Sequence, residues 1–238
     1  MIRKHIKIEP ARWYMHCDRE GILVWQDLPS PNLPSGYEDY AKKNFEDESK
    51  RIITAFRNHP SIIQWVVFNE GWGQFDTERM TQIVIGEVGQ SLVCCASGWV
   101  DAPIGDIKDS HSYPNPSCPL DETRAGVCGE YGGITLKVQG HIWPGGDFQY
   151  TTVETGKDFT VLFNNLADKV IDHYYYGLNA AVYTQLSDVE IEKNGIYTYD
   201  RRVLKPYSAT GELKTKIEEC INLPQSGIKV RPILSTAK

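Results

Sequence analysis

The chain has 238 residues, 41% hydrophobic and 24% charged, which is enough to enclose a sizeable core and too apolar for global disorder. Its 31 acidic residues outnumber 25 basic ones, a formal charge of −6 that argues against a nucleic-acid partner. No run approaches the ~18–20 continuous apolar residues of a membrane span, and MIRKHIKIEP lacks the apolar stretch of a signal peptide; no membrane partner is expected, and localisation stays open.

Short apolar runs alternate with amphipathic stretches, the pattern of an α/β fold. The spacing predicts a strand over Ile2–Ile8 and a helix from Pro10 to Arg19, with proline in its first turn and Gly21 ending it. A strand at Ile22–Gln26 precedes a helix over Tyr37–Asn58, whose apolar face carries Tyr40, Phe45, Ile52 and Phe56 and which stops at His59-Pro60. Then come a strand at Ile62–Phe68, a helix at Asp76–Val88 opened by a capping Asp or Thr, and strands at Leu92–Ala96, Asp106–His111 and Gly126–Glu130. Glycines and aromatics make the 130s to 150s one long loop, a feature that compact domains usually keep for function. A helix over Phe159–Tyr176, with Val161, Leu162, Leu166, Val170 and Ile171 on one face and Gly177 as its stop, precedes the last strand, Ala180–Gln185. Glu212–Ile221 reads as a final helix and Gln225–Lys238 as a loosely held tail.

Most of these strand runs are near-continuously apolar, as parallel strands covered by helices should be. Seven runs in βα rhythm fall one short of a (β/α)8 barrel, and the first begins at residue 2. The expectation is a TIM-barrel-like α/β fold lacking its first strand, with strands 2 to 8 of the barrel in residues 1–205 and a C-terminal extension in residues 206–238. The six cysteines, Cys17, Cys94, Cys95, Cys118, Cys128 and Cys220, show no zinc spacing and read mostly as free thiols; a secreted parent with one or two bridges is the alternative.

Chemistry points to two strand ends. In Phe68-Asn69-Glu70-Gly71-Trp72-Gly73 an apolar run delivers an amide and a carboxylate, flanked by glycines that let the backbone turn. Val127-Cys128-Gly129-Glu130-Tyr131-Gly132-Gly133 repeats the arrangement. Either could be a solvated turn. Together they supply the carboxylate pair that glycoside cleavage needs, one a proton donor and the other an ionised nucleophile.

With these motifs in view, the sequence resembles the catalytic barrel of glycoside hydrolase family 2, the β-galactosidases, β-glucuronidases and β-mannosidases. The resemblance is carried by IRKHIKIEPARWYMHCDREGILVWQDLP at 2–29, HPSIIQWVVFNEGWGQFDT at 59–77, VCGEYGG at 127–133 and AAVYTQLSDVEIEKNGIYTYDRR at 180–202. It implies a retaining β-glycosidase with no cofactor and a β-linked carbohydrate as partner. Glu70 would be the acid/base, Asn69 the residue holding the sugar 2-hydroxyl, and Glu130 the nucleophile, with carboxyls ~5–5.5 Å apart.

Further positions follow by register. Arg3 matches an arginine on the second strand near the nucleophile. His5 lies close to a family histidine, although Ile6 falls nearer that position. Asp27 sits where an acidic residue is common, to bind substrate or to cap the loop. His111 and Tyr113 follow the sixth strand, where the family places a tyrosine hydrogen-bonded to the nucleophile. Trp72, Trp99 and Trp143 are candidates for stacking a sugar face, while Trp65, inside a strand, belongs to the core.

Two departures stand out. Tyr183-Thr184-Gln185 occupies a place that is tryptophan-rich in many members, and the resemblance implies N-terminal β-sandwich domains that are expected as a missing part. Asp188, Glu190 and Glu192 read as loop and ion-pair residues, so no metal is expected. A catalytically silent barrel fragment, at most a carbohydrate-binding or interaction module, is the rival reading.

Overall fold

A computed structural model describes residues 1–30, 38–206 and 212–222. The chain forms two compact units. The first comprises Met1–Ser110 with Asp121–Ala125, and the second His111–Leu120 with the chain from Gly126 onward.

In the first unit strands and helices alternate: β1 (Ile2–Lys4), α1 (Ala11–Glu20), β2 (Val24–Asp27), α2 (Asp39–Phe56), β3 (Ile62–Asn69), α3 (Thr77–Val88), β4 (Leu92–Ser97) and most of β5 (Ile107–Ser112). The strands lie side by side in chain order and every ladder is parallel, with Ile2 opposite Val24, Gln26 opposite Trp65, Trp65 opposite Val93 and Cys94 opposite Ile107. β3 explains why its sequence is so uniformly apolar. Trp65, Val66, Val67 and Phe68 are all buried, because a parallel strand has no solvent face on which to alternate. Tyr14, Phe45, Ile53, Met80 and Val84 pack from the helices onto Trp65, Val67, Phe68 and Val93.

The second unit holds the end of β5, then β6 (Ala125–Gly132, entering at Gly126), β7 (Ile134–Thr135), β8 (Thr151–Thr152), α4 (Gly156–Tyr176), β9 (Ala180–Thr184) and α5 (Glu212–Ile221). β9 runs parallel to β6, with Val127 opposite Ala180 and Gly132 opposite Thr184. β7 and β8 form a small parallel ladder of their own inside the stretch expected to be one long loop. The core gathers Cys128, Tyr131, Ile134, Leu136, Phe159, Phe163, Leu166 and Leu178.

Several expectations are corrected in detail. The first strand ends at Lys4, and the chain turns at His5 and Ile6, with Ile6 at φ 42°. On α2 the buried face is Phe45, Ser49 and Ile53, while Tyr40 stands 75% exposed in the first turn. On α4 the inward stripe is Phe159, Phe163, Leu166 and Ala167; Val161 falls between its rows and faces solvent. α4 starts three residues earlier than expected because Thr155 caps it, its hydroxyl accepting from Asp158 N. Asp76 does occupy the N-cap of α3, but its backbone is left-handed and its side chain makes no capping bond. The six cysteines carry no disulfide. α5 lies where the last helix was expected, its Lys216 paired with Asp168 of α4 at 2.5 Å; the expected tail, Gln225–Lys238, lies outside the described residues.

The helix faces generate a stability test. Ile53→Ala removes a side chain with no exposed surface and should cost about 2–5 kcal/mol in urea-unfolding free energy. Tyr40→Ala should change it by less than about 0.5 kcal/mol. Equal effects of the two would mean that α2 is rotated.

Candidate active site

In the first unit the polar residues sit where the apolar strands stop. Arg3, near the end of β1, reaches over β2 and grips Asp27 in a fork, Nε to Oδ1 at 3.2 Å and Nη2 to Oδ2 at 2.8 Å. The same Nη2 donates to Asn69 Oδ1 at 2.7 Å. Both members of the ion pair are buried, with side chains 3% and 1% exposed. Such a pair persists only with close geometry and satisfied partners, and Ile6 N adds a further bond to Asp27 Oδ2 at 3.2 Å. Because guanidinium N–H groups only donate, the Asn69 atom facing Arg3 must be the carbonyl oxygen. Its amide Nδ2 is thereby aimed elsewhere, as a donor.

Glu70 follows directly, at φ 54°. A carboxylate residue in the left-handed region costs on the order of 1 kcal/mol or more and persists where neighbours over-determine it. Here the Glu70 N–H donates to Ser97 O at 2.6 Å, and the Asn69 N–H to Ser30 Oγ at 3.2 Å. Behind them, the buried Ser97 hydroxyl donates to Asp109 at 2.5 Å. Trp72 and Trp99 pair edge to face, centroids 5.7 Å apart, and are 38% and 58% exposed. His5 stands exposed in the turn after β1.

In the second unit Glu130 lies on β6 and its side chain is 14% exposed. The Tyr113 hydroxyl donates to its Oε2 at 2.6 Å, and Nδ1 of His111, a side chain with no exposed surface, lies 3.4 Å from the same oxygen. Tyr113 is also 2.9 Å from Thr184 Oγ1 at the end of β9; with its own proton on Glu130, it accepts there. Burial first, and then the Glu130 charge, push the Tyr113 phenol far above its usual range, so it stays a neutral donor. Gly132 and Gly133 are required as glycines. Their φ values are 100° and 64°, and an added Cβ would come within 2.3 Å of the Tyr183 ring and 2.5 Å of the Tyr150 ring.

Trp143 lies in the same unit, 42% exposed and edge-on to Tyr199 at 5.4 Å. His141 and Asp200 pair beside it at 2.7 Å. Asp188 forms a buried ion pair with Lys205 at 2.5 Å, in which burial raises the carboxyl's pKa and lowers the amine's. Glu192 accepts from Gln185 at 3.3 Å.

Sequence reasoning passed over Ser30, Ser97, Asp109, Tyr150 and Thr184. Ser97 and Asp109 left a signal, a polar residue closing or interrupting an apolar strand run. Thr184 was noted only for the tryptophan it is not.

No family model matches the chain. Among curated proteins, 75 residues are 32% identical to a β-mannosidase B of Emericella nidulans, covering 31% of this chain and 9% of that protein. Over 73 residues the chain is 36% identical to a putative β-glucuronidase of Formosa agariphila, covering 29% of this chain and 7% of that protein. Among solved structures, a GH2 β-galacturonidase from Eisenbergiella tayi bound to galacturonate aligns with a TM-score of 0.69 at 15% identity, over 93% of this chain and 45% of that one. A β-D-mannosidase from Dictyoglomus thermophilum aligns with a TM-score of 0.57 at 16% identity, over 82% and 32%. The chain thus spans less than half the length of the solved structures it matches. The class these neighbours define is the TIM-barrel-like fold of β-glycosidases: the curated relatives are named as a β-mannosidase and a putative β-glucuronidase, and the Eisenbergiella tayi neighbour is a GH2 enzyme.

Two measurements check the local chemistry. Asp27→Asn strips the buried Arg3 of its counter-charge and should cost on the order of 3 kcal/mol in denaturant unfolding. For Asp200, hydrogen bonding from Thr198 and then the His141 contact lower the pKa to about 2. A lowered folded-state pKa means stability that is present above the ordinary carboxylate pKa and is lost as pH falls toward 2. Acid unfolding below pH 4 should therefore be shallower in Asp200→Asn than in the parent protein; identical slopes would exclude the contribution.

Proposed function

We propose that the protein is a retaining β-glycosidase acting on a β-linked carbohydrate. The observation that carries this reading is Glu130, a carboxylate near the end of β6 held by a neutral, half-buried tyrosine donor beside a buried histidine side chain. A nucleophilic carboxylate must be ionised and fixed in direction, and a phenol that cannot itself ionise does both.

In this reading Glu130 attacks the anomeric carbon while the glycosidic C–O bond breaks and Glu70 gives its proton to the leaving oxygen. Water then transfers a proton to Glu70 and adds to the anomeric carbon, and Glu130 departs; two inversions retain configuration. The Asn69 amide, its oxygen already engaged by Arg3, offers Nδ2 to the sugar 2-hydroxyl. Arg3 and Asp27 hold that amide, and the exposed rings of Trp72, Trp99 and Trp143 offer apolar faces to a pyranose. His111 steadies Glu130, and His5 offers a polar edge from its turn. The names of the matched proteins support neutral and acidic β-glycosides alike as the substrate class. No step calls for a cofactor.

Aryl β-glycosides of mannose, galactose, glucuronic acid and galacturonic acid are the first assay; no turnover of any supports a silent barrel instead. Glu130→Gln should abolish turnover of every substrate that the parent cleaves. Glu70→Gln should still be glycosylated by a dinitrophenyl glycoside, release product slowly, and be rescued by azide with a β-glycosyl azide as product. A β-azide from the Glu130 variant would exchange the two roles.

A further inference from the structure

Tyr150 lies in the long glycine- and aromatic-rich segment, immediately before β8. Its ring is parallel to that of Tyr113, with centroids 3.8 Å apart and planes inclined by 7°. Aromatic pairs usually settle with centroids ~4.5–7 Å apart, so the neighbours, not ring attraction alone, impose this contact.

Those neighbours are identifiable. The β7–β8 ladder sets Thr151 opposite Ile134, and Val153 N donates to Thr135 O at 2.9 Å, which fixes the chain one residue beyond Tyr150. Gly133 N donates to Thr184 O at 2.9 Å, tying this ladder to the residue whose hydroxyl meets Tyr113. Gly133 itself leaves the space. A Cβ there would lie 2.5 Å from Tyr150 Cδ2 and 3.0 Å from Tyr113 Cδ1. On the other side Phe148 stands edge-on to Tyr150 at 5.1 Å, its own N–H bonded to Ile191 O at 3.1 Å. Tyr150 is 41% exposed while Tyr113 is half-buried, and the outer ring covers one face of the inner one.

We propose that Tyr150 is a positioning residue for the glycosidase reaction: its ring clamps Tyr113 so that the phenol stays on Glu130 Oε2 and dry. The inference rests on the reading of Glu130 as nucleophile. Without the clamp Tyr113 gains water and rotational freedom, and its hydroxyl divides its time between solvent and Glu130. A charge-assisted hydrogen bond is strong only where water does not compete for it.

Two measurements test this, one independent of turnover. In proton NMR the parent protein should show an exchange-protected phenol proton, assigned to Tyr113 by its loss in Tyr113→Phe. Tyr150→Ala should lose that signal while keeping the parent's backbone amide pattern, and Tyr150→Phe should restore it. With an aryl β-glycoside, Tyr150→Ala should lower kcat/KM by about 10- to 100-fold, mostly through kcat, as loss of a hydrogen bond to a charged group does. Its acidic pH limb should move as that of Tyr113→Phe does. The double variant should be no slower than Tyr113→Phe alone, because both act through one hydroxyl. A protected proton that survives Tyr150→Ala, one that is absent from the parent, or losses that multiply in the double variant would each overturn the proposal. If the parent turns over no glycoside, the nucleophile reading fails, and the proton signal still decides whether Tyr150 holds Tyr113.

Discussion

Burying a parallel strand on both faces is the constraint from which the rest follows. Such a strand can carry almost no polar side chain along its length, since each would have to be hydrogen-bonded in the dark. Reactive groups are therefore displaced to its last residues. β2 closes on Asp27, β3 on Asn69 with Glu70 just beyond, and β4 on Ser97. Register brings Asn69 beside Ser97, and Asp27 beside Val66, three residues short of Asn69. In the second unit β6 carries Glu130 and β9 closes on Thr184. The same apolarity that stabilises the sheet concentrates its chemistry at one end of each strand.

At those ends the polar groups are engaged before any ligand arrives. Asp27 spends its charge on Arg3, Asn69 gives its oxygen to Arg3, Ser97 turns to Asp109, and Tyr113 gives its proton to Glu130. What remains is directional: an amide N–H2 with its partner oxygen fixed, and a carboxylate with one oxygen already solvated by the protein. Prepaid hydrogen bonding of this kind means that little has to reorganise when charge moves during a reaction.

Most strands were legible because a doubly buried strand writes a continuous apolar word, and all seven expected runs overlap observed strands, the largely polar β5 included. Helix existence was legible too, from Pro10, Gly21, His59-Pro60 and Gly177. Helix faces were less so. Tyr40 and Val161 fit an apolar stripe by spacing, but Ser49 and Ala167 are what the packing admits, because small residues let neighbouring elements approach. The carboxylates at 70 and 130 announced themselves through their flanking glycines. Their supports did not. Tyr150 lies 20 residues from Glu130 in sequence in a stretch without periodicity, and its position depends on a two-residue ladder. Thr184 works through a single hydroxyl, which no pattern of spacing can reveal.

The left-handed backbone at Glu70 has a consequence of another kind. By backbone preference alone, position 70 suits glycine or asparagine better than a carboxylate on a longer side chain. Folding and the acid role proposed for Glu70 therefore pull this residue in opposite directions. In a lineage that had stopped needing the acid proposed here, exchange of Glu70 for glycine would relax the turn, whereas most core positions would stay put. Retention of glutamate at this one site is thus a more sensitive indicator of selection for activity than retention of the whole surrounding barrel.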